Sequence, residues 1–96
     1  MATVILTPTA VADLRQLIAT HTLPADTLQR FKRSVSALQQ FPEIGAPLDG
    51  RWAAFRFVLG PWRWMLVVYL YDASSDRVAI VTIQDARAGV AATSAD

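Results

Sequence analysis

Two arginines interrupt the most apolar part of the chain. Arg56 stands between two phenylalanines, and Arg63 stands between two tryptophans. A guanidinium binds a carboxylate or a phosphate through two parallel hydrogen bonds, so arginines in these surroundings suggest contact with an anionic partner. The plainer alternative is that both are exposed strand residues that keep a sheet face soluble.

Several kinds of chemistry are disfavoured by composition. The chain has no cysteine, which removes thiol nucleophiles, disulfides and thiolate metal sites, and its single histidine, His21, argues against a histidine metal centre. We therefore expect neither a metal nor a cofactor. His21 lies between two predicted helices, where we interpret it as a loop residue and not as a proton shuttle.

The net charge of +1, from nine basic and eight acidic residues, provides little field to attract a nucleic acid. Binding to one would have to come from local clustering of charge. The N-terminus lacks the pattern of a secretion signal, so a cytoplasmic location is expected. The apolar stretch 52–71 contains two arginines and a Gly60-Pro61 break, which favour two strands over a membrane span.

The first half of the chain predicts a strand and two helices. The β-branched, apolar segment 3–6 is typical of a strand, and Thr7-Pro8 is a helix start with a threonine cap. Apolar residues at helical spacing predict one helix over 8–20 and a second over 24–40, capped by Thr22 or Leu23. The second helix carries an apolar stripe of Leu28, Phe31, Val35 and Leu38.

The second half predicts a three-stranded meander. The proline- and glycine-containing segment 41–50 indicates a loop, and segments 53–59, 62–71 and 78–84 are rich in β-branched and aromatic residues. The tail 88–96 is small and polar, so we expect it to fray. The predicted fold is a single α+β domain over residues 1–96: a short N-terminal strand and an antiparallel helical hairpin packed on a curled antiparallel sheet.

The turns set which strand residues share a face. If Gly60-Pro61 forms a tight turn, Leu59 faces Trp62 and Arg56 faces Met65, since paired residues point to the same side. One face is then apolar, and we expect the helices to cover it: Phe55, Phe57, Leu59, Trp62, Trp64, Leu66, Val68 and Leu70. The opposite, open face carries Arg56, Val58, Arg63, Met65, Val67, Tyr69 and Tyr71. If Tyr71 pairs with Val78, then Ile80, Thr82 and Gln84 join that open face.

A succession of short motifs resembles the RelE/ParE superfamily of toxins from type II toxin-antitoxin systems. The resemblance covers residues 3–87 and is carried by the strand and helix start 6–14, the loop 41–48, Phe55-Arg56-Phe57, the segment 60–72 and the segment 81–87. It implies a small cytoplasmic toxin that forms a hetero-oligomer with a cognate antitoxin. The target- or antitoxin-binding residues would be Arg56, Arg63, Met65, Tyr69, Tyr71, Thr82, Gln84 and Arg87.

The resemblance leaves the target open, and with it the question of whether the protein is an enzyme. RelE-like members cleave messenger RNA on the ribosome, which requires a base, a cation and an acid; Arg56, Arg63 and Arg87 would supply the cations. No tyrosine or histidine follows Tyr71, so the usual C-terminal acid or base is absent. ParE-like members inhibit DNA gyrase and need no hydrolytic residues, and this branch is slightly favoured. A degenerate, non-toxic scaffold that only binds an antitoxin is a third possibility.

Overall fold

The protein forms a five-stranded sheet with two α-helices packed on it. The computed structural model describes residues 1–89 and 91–93. Over these residues the helices are α1 (Pro8–His21) and α2 (Thr27–Ser34), and the strands are β1 (Thr3–Leu6), β2 (Ala46–Pro47), β3 (Arg56–Leu59), β4 (Met65–Asp72) and β5 (Arg77–Asp85). Two short 3₁₀ turns span Ser36–Gln39 and Gly50–Trp52. No helix within 1–89 and 91–93 is long and apolar enough to cross a membrane.

The sheet is mixed, whereas the sequence had predicted an antiparallel sheet. Its strand order is β1-β5-β4-β3-β2. The meander of β3, β4 and β5 is confirmed, but β1 lies parallel to β5, with Thr3 opposite Arg77 and Leu6 opposite Ile80. The partner of β1 is far away in sequence, so no local turn could indicate its direction. The α+β class is confirmed.

Helix α1 begins at Pro8 with Thr7 as its cap, as its sequence predicted. Pro8 occupies the first turn, and the Thr7 hydroxyl oxygen accepts a hydrogen bond from the Ala10 N–H at 3.3 Å. The same hydroxyl donates to the Ile80 carbonyl at 2.9 Å, which ties the helix start to β5. At the other end Thr22 adopts a left-handed conformation (φ 50°), and its N–H bonds to the Ile18 carbonyl.

The second helix is shorter than predicted and begins later. The Pro24 carbonyl accepts hydrogen bonds from both the N–H and the hydroxyl of Thr27, at 3.1 and 2.6 Å, so residues 24–26 form a turn and Asp26 takes the cap position instead of Thr22 or Leu23. The helix ends at Ser34 and is followed by the 3₁₀ turn. Its buried stripe is also rotated: Phe31, Val35 and Leu38 are buried as predicted, but Leu28 is 48% exposed and Thr27 is buried.

The helices cover the sheet face that the sequence had assigned to solvent. Leu14 and Phe31 pack with Met65, Val67 and Tyr69, together with Val78, Ile80 and Ile83, in the main core. The face predicted to lie under the helices forms a second, smaller core instead, in which Leu66 and Val68 pack with Leu48, Ala91, Ala92, Trp52, Phe55 and Phe57. Residues 65–69 are all buried, so β4 has no apolar-polar alternation to indicate which face the helices cover.

The β3–β4 turn is four residues longer than a Gly60-Pro61 turn would make it. Leu59 pairs with Leu66 and Arg56 pairs with Tyr69, where the sequence had predicted Trp62 and Met65 as partners. The Gly60 N–H bonds to the Met65 carbonyl at 2.8 Å, closing a loop over residues 61–64. The register between β3 and β4 differs from the predicted one by four residues, an even number, so the same side chains of the two strands still share a face. The prediction of which face the helices cover was wrong.

The sequence had predicted that the tail 88–96 frays, but part of it packs against the sheet. Ala91 and Ala92 are buried in the second core, and the Ala92 N–H donates to the Gln84 side-chain oxygen at 2.8 Å. Within the predicted tail, residues 90 and 94–96 lie outside the described residues.

Candidate functional site

The open binding face predicted from the sequence does not form. Met65 and Tyr69 are fully buried beneath the helices, so neither can contact a partner in this structure. Gln84 pairs with Leu66 and not with Met65, because a β-bulge between Val68 and Tyr69 changes the register along β5. It therefore points to the opposite side of the sheet, where its side chain binds Ala92.

Arg56 holds a loop in place and is not free for an anion. Its side chain is 34% exposed, and its Nη1 donates to the carbonyls of Gly45 at 2.7 Å and Glu43 at 3.2 Å. The Gly45 N–H donates to the buried hydroxyl of Tyr69 at 2.9 Å. Burial raises the pKa of Tyr69, so this hydroxyl stays protonated at neutral pH. Both side chains thus bind the backbone that leads into β2.

Tyr71 and Thr82 are also engaged inside the protein. The Tyr71 hydroxyl donates to Asp76 at 2.8 Å, and this hydrogen bond raises the pKa of Tyr71. The Thr82 hydroxyl donates to Asp13 of α1 at 2.6 Å. The same carboxylate accepts from the Ile83 N–H at 3.2 Å, which satisfies an amide of β5 beyond the end of β1.

Arg63 lies in the β3–β4 turn and is exposed, so it is not a strand residue facing the same way as Arg56. We expect the two arginines to differ in their effect on folding. Arg56→Ala should lower the free energy of unfolding by about 1–2 kcal/mol, because two charge-assisted hydrogen bonds are lost from a partly exposed site. Arg63→Ala should change it by less than about 0.5 kcal/mol. Urea unfolding of both variants checks this, and equal losses would contradict the assignment of Arg56 to loop support.

The ends of α1 and β5 bring together a charged and aromatic cluster. Arg87 donates to Asp85 through Nε at 2.9 Å and through Nη2 at 2.8 Å. The Nε2 atom of His21 lies 3.3 Å from Asp85 and 3.3 Å from the Arg87 Nη2 atom. The His21 ring stacks on Trp64 with centroids 4.4 Å apart, and the Arg87 guanidinium lies 5.0 Å from the centre of the same indole.

This cluster continues to a second tryptophan and to α2. Trp62 stacks on Trp64 with centroids 6.3 Å apart and planes 24° apart. The Arg30 guanidinium lies 5.9 Å from the Trp62 centroid and is held by Asp26 at 2.9 Å. Both indoles are half-buried and pack against the main core. We call the connected side chains His21, Arg30, Trp62, Trp64 and Arg87 the tryptophan ladder.

The electrostatics of the ladder favour a fixed ion pair over a proton shuttle. Hydrogen bonds from Arg87 hold the pKa of Asp85 well below its usual range, and Asp85 in turn raises the pKa of Arg87. The other ring nitrogen of His21 lies 3.0 Å from the Thr20 hydroxyl and 3.3 Å from the Leu17 carbonyl. Whichever nitrogen carries the proton, both have a partner. Among residues 1–89 and 91–93 there is no cluster of side chains suited to a metal ion.

His21 was missed by sequence reasoning, which placed it away from any site. Its contacts with Asp85 and Arg87 span more than sixty positions of the chain and have no local signature. The pair Trp62 and Trp64, two residues apart beside a Gly-Pro break, was a usable signal, because large aromatic side chains at a turn need a packing partner. Arg87 alone among the predicted cations lies in the assembled cluster.

Comparison with solved structures decides the fold. A chain of the toxin-antitoxin complex RelBE2 from Mycobacterium tuberculosis is 24% identical and superposes with a TM-score of 0.65, covering 88% of this chain and 96% of that chain. A copper-bound mutant toxin from Helicobacter pylori is 17% identical, with a TM-score of 0.65 over 88% of this chain and 94% of that one. The chain shares the fold of these two chains, the RelE/ParE-like α+β fold that the sequence had predicted.

A third structure with this fold is a conserved hypothetical protein from Helicobacter pylori, 17% identical, with a TM-score of 0.58 over 88% of this chain and 94% of that chain. Neither a family model nor a curated protein matches the sequence. The likeness to these structures is therefore one of fold, and it assigns no role to any side chain of this chain.

Proposed function

We propose that this RelE/ParE-like protein is the toxin of a type II toxin-antitoxin pair. The observation that carries the proposal is the shared fold over 88% of the chain with a chain of the RelBE2 complex and with a Helicobacter pylori toxin. The partner is a cognate antitoxin, with which the protein forms a hetero-oligomer in the cytoplasm. No cofactor is required.

We propose DNA gyrase as the target, with inhibition by binding and without hydrolysis. This is supported by the state of the groups that acid-base chemistry would need. The hydroxyls of Tyr69 and Tyr71 are engaged by Gly45 and Asp76, and both ring nitrogens of His21 have partners. A surface that acts by binding needs no free acid or base.

Cleavage of ribosome-bound messenger RNA is the second candidate. The observation that favours it is the 3.3 Å approach of the His21 Nε2 atom to the Arg87 guanidinium, which sets an imidazole beside a cation. It requires His21 to leave Asp85 when RNA binds, so that one ring nitrogen becomes available to the ribose hydroxyl. On this alternative the protein is an endoribonuclease, and Arg87, not Arg56, supplies the cation for the phosphate.

Induction in a host without the antitoxin tests these proposals together. Growth arrest with DNA breaks and a DNA-damage response is expected for a gyrase inhibitor, whereas cuts in ribosome-bound message would establish the nuclease. His21→Ala is the matched variant: it should leave gyrase-type arrest intact and abolish message cleavage. Growth without arrest, from soluble and folded protein, would reject a toxin and leave a scaffold that only binds an antitoxin.

A further inference from the structure

The tryptophan ladder is an exposed surface whose side chains are already held rigid. Trp62 and Trp64 pack against the main core on one side, while the Arg87 side chain is 62% exposed and that of Arg30 is 49% exposed. Guanidinium groups that rest on indole rings lose little conformational freedom when a partner binds. Tryptophan and arginine are also the residues that most often dominate the binding energy of protein interfaces.

Positive charge is concentrated around this surface although the whole chain is nearly neutral. Arg33 lines an open depression beside Arg30 and Pro61, with a volume of about 390 Å³. Arg63 is exposed in the turn between the two tryptophans. Four arginines and two aspartates lie in or next to this surface, an excess of two positive charges on a chain whose net charge is +1: Arg30, Arg33, Arg63, Arg87, Asp26 and Asp85.

We propose that the tryptophan ladder and Arg63 form the docking surface for an acidic peptide segment. This inference rests on the proposed function, under which the segment belongs to the antitoxin. Its carboxylates would bind the guanidiniums of Arg63 and Arg87, and its apolar side chains would cover the half-buried indoles of Trp62 and Trp64. Charge complementarity is the argument for an acidic segment over a neutral one.

A peptide fits this surface better than a single-stranded nucleic acid. Nucleobases bind by stacking on free aromatic faces, but Trp64 is already stacked by His21 and Trp62, and Arg30 lies over Trp62. A nucleobase would have to displace one of these groups to stack, whereas an acidic peptide can bind the guanidinium groups without displacing any of them.

The test is a titration of the full chain with a labelled synthetic peptide of alternating glutamate and leucine, followed by anisotropy. We expect saturable binding by the wild type, weakened at least about tenfold in Arg63→Ala/Arg87→Ala. The matched control is Arg77→Ala, which removes an exposed arginine at the start of β5 and should change the dissociation constant less than about twofold. In a Trp52→Phe background, which leaves only Trp62 and Trp64 as emitters, the peptide should shift the tryptophan emission.

Three results would overturn the inference: equal affinity for a lysine-leucine peptide, equal affinity of the double variant, or tighter binding of oligouridylate than of the acidic peptide. The last would assign the surface to nucleic acid. Failure of the proposed function is read separately, from growth after induction. If the wild type is toxic but the double variant binds the peptide normally, only the proposed docking surface is wrong. If the wild type is not toxic but binds the peptide through Arg63 and Arg87, only the proposed toxin function is wrong.

Discussion

Phe31→Ala should lower the free energy of unfolding by about 3–5 kcal/mol, the largest loss we expect from a single substitution in this chain. Phe31 is fully buried at the centre of α2, in the core with Met65, Val67 and Tyr69. Domains of this size have a total stability of roughly 5–14 kcal/mol, so the variant would retain little of it. Urea unfolding followed by circular dichroism measures the loss.

Leu28→Ala is the control for this prediction. Leu28 lies one turn earlier in the same helix but is 48% exposed, and leucine and alanine have similar helix propensities. We expect a change within about 1 kcal/mol. If Leu28→Ala cost as much as Phe31→Ala, the helix would present the face that its sequence pattern predicted, and the packing described for α2 would be wrong.

Gly45→Ala should cost about 2–3 kcal/mol, because the loop that ends in β2 is overpacked by a single added carbon. A Cβ at this position would lie 2.6 Å from the Tyr69 hydroxyl oxygen and 2.7 Å from the Phe57 carbonyl oxygen. The carbonyl belongs to the backbone of β3 and cannot move aside without disturbing the strand. The thermal midpoint should therefore fall by about 8–24 °C.

Two variants separate this steric effect from a general sensitivity of loops. Gly89→Ala should be nearly neutral, since an added Cβ there meets nothing within 4 Å. Tyr69→Phe leaves the buried Gly45 N–H without its acceptor and should cost about 1–3 kcal/mol. A neutral Gly45→Ala would mean that the loop does not approach Tyr69 and β3 as closely as described.

These losses bear on how arginine variants of this protein should be interpreted. Arg56, Gly45 and Tyr69 form one hydrogen-bonded unit, so a change at Arg56 acts first on folding. A loss of toxicity in Arg56→Ala would therefore not identify a target contact. The exposed Arg63 and Arg87 are better probes of binding, since their substitution leaves the two cores untouched.

Local sequence patterns predicted most of the helices and strands, but they did not predict which distant segments pack against them. The cap at Thr7-Pro8 predicted the start of α1 to the residue, and the turn-rich segment 72–77 predicted the β4–β5 hairpin with Tyr71 opposite Val78. The start of α2 was predicted three residues too early, because proline at position 24 resembles a first helical residue and instead begins a turn. Strand β2 and the parallel pairing of β1 depend on partners distant in the chain.

For the candidate site, too, the sequence predicted which side chains lie together but not what covers them. Alternation along β3 and β4 correctly grouped Arg56 with Met65, Tyr69 and Tyr71, but it assigned that group to solvent and the helices to the other face. Both faces of β4 are apolar, and segments from the loop 48–55 and the tail cover the face that the helices leave. The hydrophobic pattern of a strand buried on both sides contains no information on which layer covers which side.

The amino-acid sequence alone determined the α+β class, the order of the two helices with β1, β3, β4 and β5, and the side chains of β3 and β4 that share a sheet face, because these follow from backbone periodicity and turn chemistry within a few residues. Only the tertiary structure decided that Arg56 supports a loop and that His21 meets Arg87 across the ends of α1 and β5. Those outcomes depend on which distant segments pack together, and that depends on shape and buried area summed over the whole chain.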